Sequence, residues 1–177
     1  MKVGIISDLH GNIEAWQAIV KGVFKDVDKI LSAGDLYGAG LADPNSPWYK
    51  PEEVKKSLEN FPIKIIYTKG NCDPDIDHPE STKGELFGKK FYMCHGENCL
   101  SDSSKEKLAH KNKAFYFISG HTHKWHLGKN NGIILINPGS PTLSRSPGQL
   151  TVAIMDEKEI SIVDVISQQP LATIPNQ

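Results

Sequence analysis

Arginine is almost absent from this chain of 177 residues, because Arg145 is the only arginine among its twenty basic residues. A chain with so little arginine has few of the planar, bidentate donors that fit phosphate groups. Lysine, backbone N–H groups or metal ions would have to supply positive charge at a phosphate site. Arg145 itself lies in the Ser/Pro-rich stretch 140–148, which we assign to a loop. The formal net charge of −1 gives the chain no general attraction to nucleic acid or anionic membranes.

Long apolar runs and a regular set of cysteines are missing as well. The apolar stretch at the N-terminus, within MKVGIISDLHGN, is far too short for a signal peptide or a membrane span, and no later run is long enough. The three cysteines, Cys72, Cys94 and Cys99, are odd in number and irregularly spaced. This argues against a disulfide framework and fits a reducing compartment. We therefore expect a cytoplasmic protein that does not associate with membranes.

The composition is that of one globular domain. Hydrophobic residues make up 38% of the chain and charged residues 23%, and the length suffices to bury a substantial core. We expect a single domain over residues 1–166 and a C-terminal tail over residues 167–177. The last residues, ISQQPLATIPNQ, are interpreted as a frayed end or as an edge contact.

Short apolar runs bounded by Gly, Pro, Asn or Asp predict strands. They lie at residues 2–7, 29–34, 63–68, 90–94, 114–119, 132–137, 150–155 and 159–165. Amphipathic or capped segments predict helices, and these lie at residues 12–24, 50–61 and 102–113. Strands that alternate with helices through the first two thirds of the chain predict an α/β fold.

Polar clusters follow five of these predicted strands, each at the C-terminal end of its strand. Their sequences, in chain order, are SDLHGN, AGDLYG, KGNCDPD, CHGEN and SGHTHKWH. In a layered α/β sheet these ends lie along one edge, where such folds place their ligand sites. We therefore expect segments that are distant in sequence to meet in one pocket.

The side chains in these clusters are carboxylates, imidazoles and an amide, the types that bind divalent transition metals. Seven of them are candidate ligands: Asp8, His10, Asp35, Asn71, His95, His121 and His123. With one shared carboxylate, seven ligands suit two ions.

Each motif alone has a local alternative. Asp8 could cap the helix that follows it, and Gly34-Asp35 and Gly70-Asn71 are common turn dipeptides. His95 could simply end a strand, and the histidines of SGHTHKWH could be exposed and idle. Five such motifs together, in this order and all at strand ends, favour a shared site.

The series Asp-x-His at 8–10, Gly-Asp at 34–35, Gly-Asn-Cys-Asp at 70–73, His-Gly at 95–96 and Gly-His-Thr-His at 120–123 resembles the calcineurin-like metallophosphoesterase superfamily. Within it, the short chain, the GNCD block and NPGS at 137–140 are similar to the small YfcE-type phosphodiesterases. The resemblance implies an αββα sandwich of four layers, with two mixed β-sheets flanked by helices. It also implies a first metal at Asp8, His10 and His123, a second at Asn71, His95 and His121, and Asp35 between them.

The resemblance also implies a reaction, the hydrolysis of small phosphodiesters. Two divalent ions roughly 3.5–4 Å apart would share a hydroxide that acts as the nucleophile, and they would stabilise charge on the phosphoryl oxygens. We expect Mn²⁺ first, and Zn²⁺, Fe²⁺, Co²⁺ or Ni²⁺ also suit these ligands. Nucleotides or nucleic-acid ends are further candidate substrates.

Cys72 departs from the pattern of the superfamily, in which the corresponding block often reads Asn-His-Glu or Asn-His-Asp and the histidine is credited with protonating the leaving group. Beside two metals the thiol is expected to move toward thiolate, which makes it a poor proton donor. We therefore hypothesise that the enzyme acts on leaving groups that need little protonation, or that water or Asp73 donates the proton. The candidate catalytic residues are Asn71, Cys72 and Asp73. The alternative for Cys72 is a buried structural thiol.

A protein-binding scaffold is the alternative function, because a eukaryotic retromer subunit shares this fold and much of the motif order. A scaffold without catalytic duty has no physical reason to keep all seven candidate ligands. Edge strands in the last third of the chain also favour a homodimer or homotetramer.

Overall fold

Two β-sheets packed face to face form the centre of the computed structural model, which describes residues 1–73 and 77–177. The strands are β1 (Val3–Ile6), β2 (Lys29–Ser32), β3 (Lys64–Tyr67), β4 (Ser81–Leu86), β5 (Lys89–Cys94), β6 (Tyr116–Ile118), β7 (His126–Asn130), β8 (Ile133–Asn137), β9 (Thr151–Met155), β10 (Glu159–Asp164) and β11 (Pro170–Pro175). Within the described residues, the first sheet has the order β11-β10-β9-β1-β2-β3 and the second the order β4-β5-β6-β8-β7.

Both sheets mix parallel and antiparallel pairs. In the first sheet β1, β2 and β3 run parallel, whereas β9, β10 and β11 form antiparallel pairs at the other side. In the second sheet β5, β6 and β8 run parallel, and β4 and β7 add antiparallel edges. The parallel strands therefore end together in each sheet.

The main core lies between the two sheets. Strands alternate their side chains between two faces, so Val3 and Ile5 of β1 point toward the second sheet, where they join Met93 and Ile118 in one buried cluster. Ile6 belongs instead to the cluster on the opposite face of the first sheet. This alternation fixes which face of each strand meets its partner sheet.

Three helices cover the outer faces of the sheets within the described residues: α1 (Ile13–Lys21), α2 (Pro51–Glu59) and α3 (Asp102–Lys111). Trp16 of α1 and Val54 of α2 pack in one cluster on the first sheet. Ala109 of α3 packs against Phe117 on the second sheet. The predicted four-layer αββα sandwich with two mixed sheets is confirmed.

Local sequence signals explain where two of the helices begin. The side chain of Asn12 accepts a hydrogen bond from the backbone N–H of Ala15 at 2.9 Å, which caps α1. The side chain of Ser101 accepts one from the N–H of Ser104 at 3.2 Å, which caps α3. The structure thus has a helix inside each of the three predicted segments. Each helix ends two or three residues before the predicted C-terminal end.

Two strands of the second sheet, β4 and β7, were not predicted. Both lie at sheet edges and are largely polar, so neither has an apolar run. The turn after β7 consists of Asn131 and Gly132, both with positive φ. Asn-Gly is a strong signal for a tight β-hairpin, and it could have predicted β7.

The last residues form an edge strand rather than a frayed end. Strand β11 pairs antiparallel with β10. Asn176 is only 5% exposed, and its side chain accepts a hydrogen bond from the hydroxyl of Tyr116 at 2.6 Å. Its amide also donates to the carbonyl oxygen of Asp156. Residues 167–177 therefore cover the outer side of β10. Of the two interpretations of the chain end, a frayed end and an edge contact, the structure has the edge contact.

A membrane-spanning helix does not occur in residues 1–73 or 77–177, because none of the helices there combines the length and the apolar character that crossing a bilayer needs.

The contact between Asn176 and Tyr116 gives a prediction about stability. Replacing Asn176 with alanine leaves a buried tyrosine hydroxyl without its acceptor, which should lower the free energy of unfolding by about 1–3 kcal/mol. Urea denaturation measures this change. The matched control is Gln177→Ala at the neighbouring exposed position. Equal stability of both variants would show that the chain end does not contribute to the fold.

Candidate active site

Backbone hydrogen bonds join the loops that follow the parallel strands. The N–H of Asp8 donates to the carbonyl oxygen of Gly34 at 3.0 Å, and the N–H of His10 donates to that of Asp35 at 3.0 Å. In the second sheet, the N–H of Gly120 donates to the carbonyl oxygen of His95 at 2.8 Å. The N–H of His121 donates to Oδ2 of Asp8 at 3.0 Å, which joins the strand ends of the two sheets, and the polar clusters lie along this edge.

Two buried carboxylates and several imidazoles meet at this edge. Oδ1 of Asp8 lies 3.3 Å from Nε2 of His123, 3.9 Å from Nε2 of His95 and 4.0 Å from Nε2 of His10. Oδ2 of Asp35 lies 3.2 Å from Nε2 of His95 and 3.9 Å from Nε2 of His10. We call these five residues the imidazole–carboxylate cluster.

Backbone carbonyl groups orient the three histidines of the cluster. Nδ1 of His10 lies 2.7 Å from the carbonyl oxygen of Gly38, and Nδ1 of His95 lies 2.7 Å from that of Ala33. Nδ1 of His123 lies 2.8 Å from the carbonyl oxygen of Leu143. A carbonyl oxygen can only accept, so each Nδ1 must donate. In a neutral ring this leaves Nε2 as an unprotonated lone pair that faces the carboxylates.

The contact between His10 and His123 is unfavourable without a third group. Their Nε2 atoms lie 3.2 Å apart. Because both Nδ1 atoms donate to carbonyl oxygens, two neutral rings would place two lone pairs against each other. A proton or a cation between the two nitrogens would remove this repulsion.

Oδ1 of Asp8 is buried without a hydrogen-bond partner and lies 3.9 Å from Nε2 of His95, which contacts Oδ2 of Asp35 at 3.2 Å. Leaving a buried polar atom unsatisfied costs about 1–3 kcal/mol, and more for a charged one. Carboxylate oxygens and imidazole nitrogens are ligands of divalent transition metals, so the donor set fits such an ion.

The charges in the cluster shift one another's protonation. Burial raises the pKa of Asp8 from 3.8 to about 7, although the charge of His95 opposes this change. Burial alone would lower the pKa of His95, but hydrogen bonding and charge from Asp35, together with the charge of Asp8, raise it to about 9. Burial would raise the pKa of Asp35, but His95 outweighs it and lowers that pKa to about 2. Near neutral pH, His95 therefore carries a proton that a metal ion would have to displace.

The backbone is strained at most of the candidate ligands. Nine non-glycine residues in the described parts of the chain have a positive φ, and five of these are candidate ligands: Asp8, His10, Asp35, His121 and His123. A left-handed conformation costs a non-glycine residue roughly 1–2 kcal/mol. Such strain concentrates at functional sites, where the surrounding structure enforces it. No sequence pattern had indicated it.

Asn71 and His121 lie beside the cluster and bind each other. Oδ1 of Asn71 and Nδ1 of His121 are 2.9 Å apart, and the rings of His121 and His95 are 5.2 Å apart between centroids. Burial, followed by the charge of His95, lowers the pKa of His121. Asn71 is exposed, unlike the five residues of the cluster. Asn71 and His121, which are expected ligands of the second ion, are therefore more accessible to solvent than the five residues of the cluster.

Cys72 contacts both halves of the site. Its backbone N–H donates to Oδ1 of Asp35 at 2.8 Å, and the side chain of Asn71 donates to its sulfur at 3.2 Å. Burial, followed by the charge of Asp35, raises the pKa of the thiol to about 12. Without bound ions, these surroundings hold the sulfur as a thiol, the opposite of the shift toward thiolate expected beside two metals.

Asp73 faces the backbone, away from the cluster. One of its oxygens accepts from the N–H groups of Asp35 and Gly70, each at 2.9 Å, and the other accepts from the N–H of Tyr37 at 2.9 Å. The carboxylate thus ties together the loops after β2 and β3. The geometry gives Asp73 a role in positioning Asp35, and it does not support the hypothesis that Asp73 donates a proton to the leaving group.

An open cleft of about 300 Å³ leads to the cluster. It is lined by His10, Asp35, Gly40, Leu41, Asn71, Cys72, His121, His123 and Arg145. Arg145 had been assigned to a loop without a role in the site, and the structure places it at this cleft. The carbonyl groups that orient the histidines were also missed, because a backbone acceptor leaves no mark in the sequence.

Within the described residues, three groups of side chains bring ligand atoms within 4.8 Å of one another. They are Asp8 with His10 and His123, Asp8 with Asp35 and His95, and His10 with Asp35 and Cys72. The first group matches the ligands expected for a first ion. Asp8, His10 and Asp35 each belong to two of these groups, so the candidate cation positions lie next to one another.

Comparison with known proteins gives a consistent assignment. A family model described as the calcineurin-like phosphoesterase superfamily domain matches residues 1–159. A probable metallophosphoesterase of Methanothermobacter thermautotrophicus is 31% identical over 167 residues, which cover 89% of this chain and 88% of that protein. The phosphodiesterase YfcE of Escherichia coli is 22% identical over 183 residues, which cover 98% of this chain and 97% of that protein.

Solved structures share the fold. The structure of Escherichia coli YfcE superposes with a TM-score of 0.79 at 19% identity and covers all of both chains. Vps29 of Entamoeba histolytica, solved in complex with Zn²⁺, superposes with a TM-score of 0.76 at 17% identity and covers 99% of both chains. At these identities, the likeness to the two structures concerns the fold.

The shifted pKa values predict how stability depends on pH when a chelator is present. The pKa of His95 rises from 6.5 to about 9 on folding, so its stabilising contribution is complete below pH 6.5 and is lost as pH rises through 9. Asp8, whose pKa rises from 3.8 to about 7, adds a loss in the same direction below pH 7. We therefore expect the free energy of unfolding to fall between pH 6.5 and 9.

Urea denaturation in EDTA across this pH range tests the expectation. His95→Gln should flatten the pH dependence, whereas His110→Asn, which changes an exposed histidine on α3, should keep it. A free energy of unfolding that stays constant or rises toward pH 9 in the unmodified protein would contradict the assigned charges.

Proposed function

The chain belongs to the calcineurin-like phosphoesterase superfamily, and on this premise we propose that it is a metal-dependent phosphodiesterase that hydrolyses small phosphodiesters at the imidazole–carboxylate cluster. Nucleotides and nucleic-acid ends are candidate substrates within this class. The name of the relative YfcE, a phosphodiesterase, supports the choice of diesters over monoesters.

One observation carries the proposal, the lone-pair contact between His10 and His123. Their Nε2 atoms lie 3.2 Å apart, and both rings are fixed in the tautomer that leaves those atoms unprotonated. A cluster built only for stability would not place two acceptors together beside a buried carboxylate. A divalent cation satisfies both nitrogens and the carboxylate at once.

We assign the ligands as follows. Asp8, His10 and His123 would hold one ion, and their three ligand atoms already lie within 4.8 Å of one another. Asn71, His95 and His121 would hold the second, in place of the hydrogen bond between Asn71 and His121. Asp35 would serve both ions. Its two oxygens support this position, because Oδ2 faces His10 and His95 while Oδ1 accepts from the backbone of Cys72.

When bound, two divalent ions would lower the pKa of water from 15.7 to about 7 and neutralise charge on the phosphoryl oxygens. The residues of the chain hold and orient this centre. The carbonyl oxygens of Ala33, Gly38 and Leu143 fix the three rings, which is the usual support for metal-binding histidines. Mn²⁺ is the ion that we propose, and the same ligands suit Zn²⁺, Fe²⁺, Co²⁺ and Ni²⁺.

Cys72 sets the choice of leaving group in this proposal. Its thiol lines the cleft where related sequences often carry a histidine. Without bound ions the pKa of the thiol is raised to about 12, and beside two metals we expect a thiolate, so neither state makes Cys72 a good proton donor near neutral pH. We therefore propose that the enzyme prefers diesters whose leaving groups depart without a proton.

A protein-binding scaffold remains the second candidate function. The likeness in fold to Vps29, whose name refers to vacuolar protein sorting, favours it. The two candidates differ in a measurable way, because a scaffold needs no turnover. A cytoplasmic location and assembly into a homodimer or homotetramer are further parts of the proposal and are compatible with either candidate.

The first prediction of the proposal concerns metal-dependent turnover. Purified protein loaded with Mn²⁺ should hydrolyse bis-p-nitrophenyl phosphate, an activated diester, faster than p-nitrophenyl phosphate, its monoester, and EDTA should abolish both activities. Asp35→Asn, which removes the shared charge, should lower the rate by more than about 100-fold and reduce the bound metal. The exposed Asp26→Asn is the matched control. Absence of turnover with every divalent ion tested would favour the scaffold.

The second prediction concerns leaving groups. Cys72→His should accelerate hydrolysis of diesters with basic alkoxide leaving groups, because a histidine of pKa near 6.5 can donate a proton at neutral pH. The rate for p-nitrophenyl esters should change much less. The plot of log rate against leaving-group pKa should therefore become less steep, and Cys72→Ser serves as the control. Unchanged or slower hydrolysis of the basic esters by metal-loaded Cys72→His would refute the assigned role.

A further inference from the structure

Arg145 lies at the cleft and carries a charge that no carboxylate in the described part of the chain pairs. Its side chain is exposed and lines the cleft together with His121 and His123. Among residues 1–73 and 77–177, no carboxylate lies within ion-pair distance of its guanidinium group. The guanidinium donors are therefore available to an anion that enters from solvent.

The backbone that carries Arg145 is tied to a candidate ligand. The N–H of Arg145 donates to the carbonyl oxygen of His123 at 2.9 Å, and the carbonyl oxygen of Leu143 accepts from Nδ1 of His123 at 2.8 Å. The hydroxyl of Ser144 accepts from the N–H of Ser146 at 3.0 Å, which closes the turn around Arg145. The position of Arg145 is thus coupled to the ring of His123.

The same segment is also attached to the loop after β1. The hydroxyl of Ser140 donates to the carbonyl oxygen of Asp8 at 2.7 Å, and that of Thr142 donates to the carbonyl oxygen of Leu9 at 3.0 Å. Residues 140–145 therefore pass along the imidazole–carboxylate cluster. An arginine at the end of such a segment has a defined place relative to the cluster, unlike an arginine on a free loop.

Arg145 is also the only permanent cation among the described residues that line the cleft. The other lining residues are Asp35, three histidines, a cysteine, an asparagine, a leucine and a glycine.

We propose that Arg145 binds the substrate directly, through hydrogen bonds from its guanidinium group to phosphoryl oxygens of a phosphodiester in the cleft. This inference rests on the proposed function for the identity of the substrate, and it deepens it by naming a residue that recognises the phosphate. A guanidinium group matches two oxygens of a phosphate at once, which lysine cannot do. The placement of the only arginine of the chain at this cleft then has a chemical reason.

The experiment measures binding of inorganic phosphate and turnover separately. Calorimetry with Mn²⁺-loaded protein gives the Kd of phosphate, and bis-p-nitrophenyl phosphate gives KM and kcat. Arg145→Ala should raise the Kd of phosphate and the KM of the diester by about 10- to 100-fold, since hydrogen bonds to a charged group are lost. Metal content should stay unchanged. Arg145→Lys should give a Kd and a KM between those of the unmodified protein and of Arg145→Ala, because it keeps the charge but loses the planar, bidentate donors of the guanidinium group.

The matched control is Lys124→Ala, which removes an exposed positive charge next to His123 in sequence and outside the cleft lining. It should change both constants less than about 2-fold, because a charge in solvent is screened by salt. Guanidinium ion added to Arg145→Ala should restore part of the phosphate affinity, which a purely structural loss would not allow.

The outcomes separate this inference from the proposed function. If the unmodified protein turns over the diester and Arg145→Ala leaves the Kd of phosphate and KM unchanged, the inference is wrong and the function stands. If the unmodified protein shows no turnover but binds phosphate through Arg145, the function is wrong, and Arg145 is a phosphate-binding residue without a role in substrate hydrolysis. Absence of phosphate binding by the unmodified, metal-loaded protein also overturns the inference.

Discussion

The arrangement of this site depends on a set of acceptors that cannot satisfy one another. The backbone carbonyl groups of Gly38 and Leu143 hold His10 and His123 so that their Nε2 atoms, which are unprotonated in neutral rings, face each other at 3.2 Å. Oδ1 of Asp8, buried and without a hydrogen-bond partner, lies 3.3 Å from the nitrogen of His123. A bound cation would remove the repulsion between these groups. Without the cation, the surrounding fold must hold them together.

The two sheets provide that constraint. Parallel strands end together, and backbone hydrogen bonds between the following loops hold Asp8 beside Gly34 and His95 beside Gly120. The carboxylate of Asp73 then fixes the loop of Asp35 by accepting from three backbone N–H groups. Hydrogen bonds of this kind offset the strain of left-handed backbone at the candidate ligands. The apolar core between the sheets makes the arrangement rigid, because interiors at crystal-like density resist small displacements.

The apolar runs of the sequence were sufficient to predict an α/β fold, because buried strands such as β1 and β8 must be apolar on their faces. The four-layer sandwich was expected only from the resemblance to the superfamily. Strands β4 and β7 escaped prediction because edge strands carry polar side chains, and only the Asn-Gly turn before β8 indicated one of them. The five motifs identified the chemical types at the site. They could not reveal the carbonyl partners of the histidines, the backbone role of Asp73 or the position of Arg145, since these arise from contacts between segments distant in sequence.

We propose that this cluster binds two divalent cations, and anomalous diffraction from crystals grown with Mn²⁺, recorded on both sides of the manganese absorption edge, would locate them. Two manganese peaks are expected, one among Asp8, His10 and His123 and one among Asn71, His95 and His121, with Asp35 between them. No manganese peak at the cluster, together with no Mn²⁺ binding in solution at the same concentration, would show that the cluster is not a metal site.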